Sequence, residues 1–230
     1  MMQKLIYVLS LLSLWMVTSV SAQSIKKQEA TMEDYIPLLQ ASGYDVYSFD
    51  ISEFMDETYQ FIFQIKEYVN GEEVKNSDYG GWSNRMMLDG FPEEQKKEVI
   101  EKGNAFDLAK GVYKCAKKMT IGLIPLKADS IKAVQISLDE MGGFQKRLNL
   151  KPLKNPNGKP HYAYDSRPYV IDKFEEDKFI PLVFYASYWM DEQSNFFRFC
   201  GAREIGADMG KEYIERTPHY FVIGVVMKKK

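Results

Sequence analysis

Tyr59, Phe61, Phe63 and Ile65 alternate with Gln60, Gln64 and Lys66. This is the period of two expected of a strand with one face in a core and the other in water. Asn70-Gly71 follows, and both residues tolerate the positive φ of a tight hairpin turn, so a second strand is expected from Glu72. The alternation returns at Met119, Ile121 and Leu123, then in Ile131–Leu138 after a turn at Ala128-Asp129, and in Phe144–Leu150 after Gly142-Gly143. Asn155-Pro156-Asn157-Gly158 reads as a turn, with an exposed loop running on to Tyr164. The last third predicts strands at Pro168–Phe174, Phe179–Met190, Asn195–Cys200 and Tyr220–Met227. Two of these are apolar on both faces, the pattern of central strands covered on both sides.

Helical patterns are short. Asp34 to Gly43 predicts a helix capped by Asp34, with Pro37 in its first turn, Gly43 at its end, and Ile36, Leu38 and Leu39 against a sheet. Tyr44–Ile51 then reads as a strand. Pro92 to Lys102 predicts a solvent-facing helix closed by Gly103, decorating a sheet edge. Between Asn76 and Lys110 the β pattern stops, and Asp78-Tyr79-Gly80-Gly81-Trp82 reads as a glycine-containing loop. Many short strands and two short peripheral helices predict a mainly β chain, an antiparallel β-sandwich-like domain.

The N-terminus adds a destination. Lys4, an apolar run from Leu5 to Val20, and the small residues Val20-Ser21-Ala22 are the three parts of a signal peptide cut after Ala22. Residues 1–22 are therefore expected to be removed, leaving 23–230 as one domain. The run is shorter than the roughly 20 residues of a membrane span, and no later stretch matches it, so no transmembrane segment is expected after cleavage. Removal leaves 208 residues at a formal charge of −3, against the basic excess a nucleic-acid binder needs. Both cysteines, Cys115 and Cys200, survive. In an oxidising compartment they are either a disulfide closing a loop of about 85 residues or two buried thiols on strand faces.

Four stretches carry a resemblance: the signal ending at Ala22, Ala41 to Ile51 (Ala-Ser-Gly-Tyr-Asp-Val-Tyr-Ser-Phe-Asp-Ile), Lys66 to Glu73, and Pro218 to Gly224. Together they resemble a family of secreted proteins from Bacteroidetes-type gut bacteria, classed as a domain of unknown function. The resemblance implies an exported, mostly β protein of a Gram-negative envelope. It brings no activity and no functional residues.

Motifs with specific chemistry are missing from the sequence: there is no HExxH, GxSxG, P-loop, acidic calcium loop or paired CxxC. No cofactor or catalytic residue is therefore expected. His161 and His219 with the two cysteines match no compact metal-ligand spacing. His219 beside Pro218 reads as a sheet residue and His161 as a surface one, although a cysteine and a histidine can meet in space as a nucleophilic pair. The acidic groups Asp139-Glu140, Glu175-Glu176-Asp177 and Asp191-Glu192 sit where strands turn around, and Lys228-Lys229-Lys230 guards a strand end. Tyr79 and Trp82, outside the alternation, are the candidate binding residues, as an exposed aromatic platform; the competing expectation is that Trp82 folds back over the core.

The expectation that follows is an exported, periplasmic or secreted, non-enzymatic binding or structural module, with a protein or glycan of the cell envelope as its partner. Two others compete. A polysaccharide-directed hydrolase requires two carboxylates close together in a cleft. A periplasmic inhibitor or chaperone-like binder requires a free edge strand that accepts a partner's strand.

Overall fold

The structure is a computed structural model that describes residues 27–230 except 154–159, 172, 192, 195 and 207–210. The expected signal peptide and the Asn155–Gly158 turn lie outside the described residues. The chain divides into two compact units, Met1–Ile36 and Pro37–Lys230.

The described part of the first unit opens helix α1 (Met32–Ala41). Asp34 is not its cap. The Asp34 carboxylate accepts the Thr31 backbone N–H at 2.8 Å and the Thr31 hydroxyl at 3.1 Å, so Thr31 is the cap and Asp34 the third helical residue, reaching back to it. Pro37 consequently falls inside the helix and not in its first turn. Within the second unit Gly43 ends α1 at φ +82°. Leu38 and Leu39 stay exposed instead of lying against a sheet.

All the strands of the described residues belong to the second unit. One sheet holds β1 (Asp45–Asp50), β6 (Lys118–Pro125), β7 (Ile131–Leu138) and β8 (Gly142–Asn149), in the order β1-β6-β7-β8. The other holds β2 (Tyr59–Val69), β3 (Glu72–Ser83), β9 (Tyr164–Pro168), β10 (Phe179–Ser187) and β13 (His219–Lys229), in the order β3-β2-β13-β10-β9. Every pairing in both sheets is antiparallel. Two small ribbons complete the set, β4 (Arg85–Met87) with β5 (Val112–Cys115) and β11 (Trp189–Asp191) with β12 (Phe196–Arg198).

The alternating positions decide the packing. Phe61, Phe63 and Ile65 of β2 meet Met119, Ile121 and Leu123 of β6 and Val134 and Ile136 of β7 in one buried core, to which β13 adds Phe221, Ile223 and Val225. The two sheets thus share a core in a sandwich-like arrangement, and the chain is mainly β as its pattern predicts. The intervening residues of the central strands fill a second core on the other face of the five-stranded sheet. Phe184 and Ala186 of β10 and Tyr220 and Val222 of β13 pack there with Tyr169, Cys200 and Ile205, beside Tyr213 and Ile214 of α3 (Lys211–Arg216). Both faces of β10 and β13 are covered, which accounts for their unbroken apolar runs.

Helix α2 (Glu93–Glu101) follows Pro92 and buries none of its residues, as its thin apolar stripe predicts. With α3, the described helices number three rather than two. Other segments differ from the pattern. The expected strand at Pro168–Phe174 is displaced to Tyr164–Pro168, and the Phe179–Met190 run is divided at Tyr188 into β10 and β11, the Tyr188 N–H still donating in the β9 register to the Ala163 carbonyl at 2.9 Å.

The expected loop from Asp78 to Trp82 is part of β3. Phe61 pairs with Trp82 and Ile62 with Gly80, so Gly81 is the extra residue of a bulge. The disulfide does not form: Cys115, at the end of β5, and Cys200, in the outer core, are both buried and free.

Side chains join the sheet edges. On one side the Tyr47 hydroxyl (β1) meets the Ser166 hydroxyl (β9) at 2.8 Å, and Ser166 donates to the Asp45 carboxylate at 2.9 Å. On the other, Tyr79 and Trp82 of β3 stack on Phe144 of β8, with centroids 4.9 and 5.4 Å away.

Candidate functional site

Two places bear on function. The first is the aromatic pair singled out by sequence. The structure brings Tyr79 and Trp82 together on Phe144, and Lys146 Nζ sits 4.9 Å from the centre of the Tyr79 ring. Both residues are half-buried. Gly80 is required beneath the indole: it has φ +99°, and a Cβ there would lie 2.2 Å from the Trp82 ring. The glycines that read as a loop are the means by which β3 bulges and Trp82 lies flat.

The second is an open cleft of about 520 Å³ at one end of the sheets, within the usual range of small-ligand sites, about 300–1,000 Å³. One wall is the β11–β12 ribbon, which contributes Trp189, Met190 and Phe197. The ribbon is pinned by Arg198 Nε to Asp191 Oδ2 at 2.6 Å and by Ser194 Oγ donating to the same carboxylate oxygen at 2.8 Å. Another wall is the segment Lys151-Pro152-Leu153, where Leu153 N–H donates to the His161 carbonyl at 2.8 Å. The hairpin turn after β2 supplies Val69 and Asn70, the latter held by its N–H on the Pro218 carbonyl at 2.9 Å. Arg216 of α3 also lines the cleft.

His219 and Ser187 lie at its base. The His219 side chain is 3% exposed. Its Nε2 lies 3.1 Å from Glu67 Oε1, and its Nδ1 lies 2.5 Å from the Tyr164 hydroxyl. Tyr164 also engages Lys151: its oxygen accepts the Lys151 N–H at 3.0 Å and stands 3.1 Å from the Lys151 carbonyl. With Glu67 ionised, Nε2 carries the proton that Glu67 accepts. Nδ1 is then bare and takes the Tyr164 O–H. Burial pushes the His219 pKa down from its ordinary 6.5, the hydrogen bond and charge of Glu67 oppose that, and Lys151 adds to it. Burial likewise pushes the Tyr164 phenol up, so it stays protonated and able to donate.

The described lining combines aromatic walls, two basic side chains and no Asp or Glu. Such a site can hold a ring-bearing ligand against Trp189 and Phe197 and attract negative charge.

The sequence placed His219 on a sheet and gave it no partners. Its partners were discernible in one way. Glu67 continues the buried series Phe61, Phe63, Ile65, and His219 begins the buried series Phe221, Ile223, Val225. An ionisable residue in phase with an apolar face needs a buried partner. Cys115 and Cys200 lie away from this cleft, and His161 is exposed, its ring 5.5 Å from that of Phe197. The groups at Asp139 and Glu175 stay at turns. Glu140 pairs with Lys114 at 3.3 Å and Glu175 with Lys178.

Among the described residues no helix is long and apolar enough to cross a membrane. No curated protein and no solved structure matches the chain. A family model described as a domain of unknown function, DUF5041, matches residues 14–229, almost the entire chain, and the protein belongs to that family.

Proposed function

We propose that the protein is an exported, non-enzymatic binding module of a bacterial cell envelope, and that a glycan seats in the cleft walled by Trp189 and Phe197. The observation that carries this reading is the cleft itself: aromatic walls for stacking a sugar ring, with Lys151, Arg216 and Asn70 as polar contacts around them. The described lining has no carboxylate pair, which favours binding over the hydrolase reading. The test is a titration against oligosaccharides of envelope and gut polysaccharides. A ligand should bind the wild type and Trp82→Ala alike and lose at least tenfold in affinity with Trp189→Ala. Equal affinity in Trp189→Ala would remove the cleft from the reading. Export predicts that the mature chain recovered from an envelope or medium fraction begins at Gln23.

A second reading keeps one observation in its favour. Residues 72–76 of β3 run exposed along the outer edge of the five-stranded sheet, where a partner's strand can add. The charges of Glu72, Glu73 and Lys75 and the bulges in its pairing with β2 are devices that discourage such addition, so this reading ranks below the cleft. A proline at Val74 would abolish strand addition and leave cleft binding intact.

A further inference from the structure

We propose that the cleft selects a glycan bearing a carboxylate, and that this ligand binds together with a proton taken up by His219. The inference rests on the glycan-binding reading above and adds the chemical class of the ligand and its coupling to pH.

The Tyr164 hydroxyl joins the His219 ring to the cleft wall. With the imidazole neutral and Nε2–H on Glu67, the single Tyr164 hydrogen serves two acceptors, His219 Nδ1 at 2.5 Å and the Lys151 carbonyl at 3.1 Å, while the Tyr164 oxygen accepts the Lys151 N–H. Adding a proton at Nδ1 reverses the first bond. Nδ1–H now donates to the Tyr164 oxygen, which already accepts from Lys151 N–H, and the phenolic hydrogen is released to donate to the Lys151 carbonyl 3.1 Å away. Nε2–H stays on Glu67 throughout. The protonated network therefore gains one hydrogen bond and holds Lys151, at the cleft wall, through both its backbone groups.

The charged groups around the ring set the balance. Glu67 of β2 favours the imidazolium. Lys151 and burial oppose it. Tyr164 of β9 is neutral, Ser187 of β10 meets the His219 backbone N–H at 3.3 Å, and the Phe221 ring of β13 packs against the imidazole at 4.9 Å. In the empty cleft Lys151 thus opposes the imidazolium and Glu67 favours it. An anionic ligand supplies a further negative charge beside Lys151. It stabilises the imidazolium, and by linkage the imidazolium strengthens its binding. A neutral glycan has no such differential interaction with the two states.

The test uses uronate-containing oligosaccharides from alginate, pectin and glycosaminoglycans, each paired with its carboxyl-reduced counterpart. Isothermal titration between pH 5 and 8, in two buffers of different ionisation enthalpy, reads affinity and proton uptake together. The expected result is tighter binding of the acidic member, an affinity that rises as pH falls by up to about tenfold per unit, and a proton uptake that is greatest between the His219 pKa of the free protein and that of the complex and fades above the latter. His219→Gln, which keeps a donor for Glu67, should bind with an affinity flat to within about twofold. Imidazole NMR of the wild type gives the same answer without a variant. The chain has only two histidines, and the His219 titration should move to higher pH on adding the acidic ligand while that of His161 stays. Equal binding of acidic and reduced members, or acidic binding with no proton uptake and an unmoved His219 titration, would overturn the inference and leave the glycan-binding reading standing. No binding of either form by the wild type would overturn both.

Discussion

The Trp82 indole lies nearly parallel to the Phe144 ring, 5.4 Å between centroids and 8° between planes, so stacking fastens an edge strand of one sheet to an edge strand of the other. Tyr79 occupies the same Phe144 ring 4.9 Å away. Removing the indole should open this side of the sandwich, and Trp82→Ala is expected to cost about 2–3 kcal/mol, below the range for a fully buried aromatic because Trp82 is half-buried. Gly80→Ala should cost a similar amount through strain at φ +99° and collision with the indole. Chemical denaturation of the two variants and their double mutant checks this: once the indole is gone the glycine substitution should cost clearly less, and full additivity would show that Gly80 does not serve Trp82.

A pH dependence of folding follows from His219. Its folded pKa lies below 6.5 because burial outweighs Glu67, so between that lowered value and 6.5 the unfolded chain binds more protons than the folded one. Stability therefore rises with pH across this window: the contribution is complete above about 6.5 and is lost as pH falls through the lowered folded value, at up to about 1.4 kcal/mol per pH unit. His219→Gln has no such proton to take up. The difference in unfolding free energy between wild type and variant, measured from pH 7.5 to 4.5 without ligand, should fall toward acid; a constant difference would remove the burial argument.

The other seam hangs on Ser166, which is 2% exposed. It takes part in hydrogen bonds with both Tyr47 and Asp45 of the opposite sheet. Ser166→Ala strands a carboxylate and a phenol at once, and is expected to cost about 1–3 kcal/mol. Tyr47→Phe removes a single partner and leaves Ser166 on Asp45, so it should cost about 1 kcal/mol or less. Thermal or urea unfolding separates these outcomes, and a Tyr47→Phe cost equal to that of Ser166→Ala would put the weight of the seam on the phenol.

What could be read in advance, and what could not, divides along physical lines. The faces of β2, β6 and β13 were legible because burial on one side or both writes itself into residue-by-residue hydrophobicity. Strand β9 was not: Tyr164-Asp-Ser-Arg-Pro168 is polar because this edge strand is joined to β1 by hydrogen bonds and not by apolar contact. Gly80-Gly81 looked like a loop because glycine punctuates turns more often than it makes a bulge. The His219 network spans 55 residues to Tyr164 and 152 to Glu67, and no local pattern carries pairings over such distances. Only the phase of Glu67 and His219 with their buried neighbours hinted at it.

The cysteines provide a last test, because their chemistry turns on geometry that sequence does not supply. Cys115 is 7% exposed at the end of β5, and burial pushes its thiol pKa up. Its sulfur lies 4.0 Å from the Met55 carbonyl. Cys200 is 2% exposed in the outer core with Tyr169 and Val222, a cluster to which Cys115 does not belong. The two thiols are free, one at the end of the β4–β5 ribbon and the other in the outer core, so oxidation of the folded chain should not join them. A thiol that is both buried and held protonated is a poor nucleophile. Native protein should therefore react slowly with a thiol reagent such as Ellman's, and protein unfolded without reductant should show both of its thiols at once. Recovery of fewer than two after unfolding, with a mass lower by two hydrogens, would mean that the chain folds around a bridge and that the outer core is arranged differently.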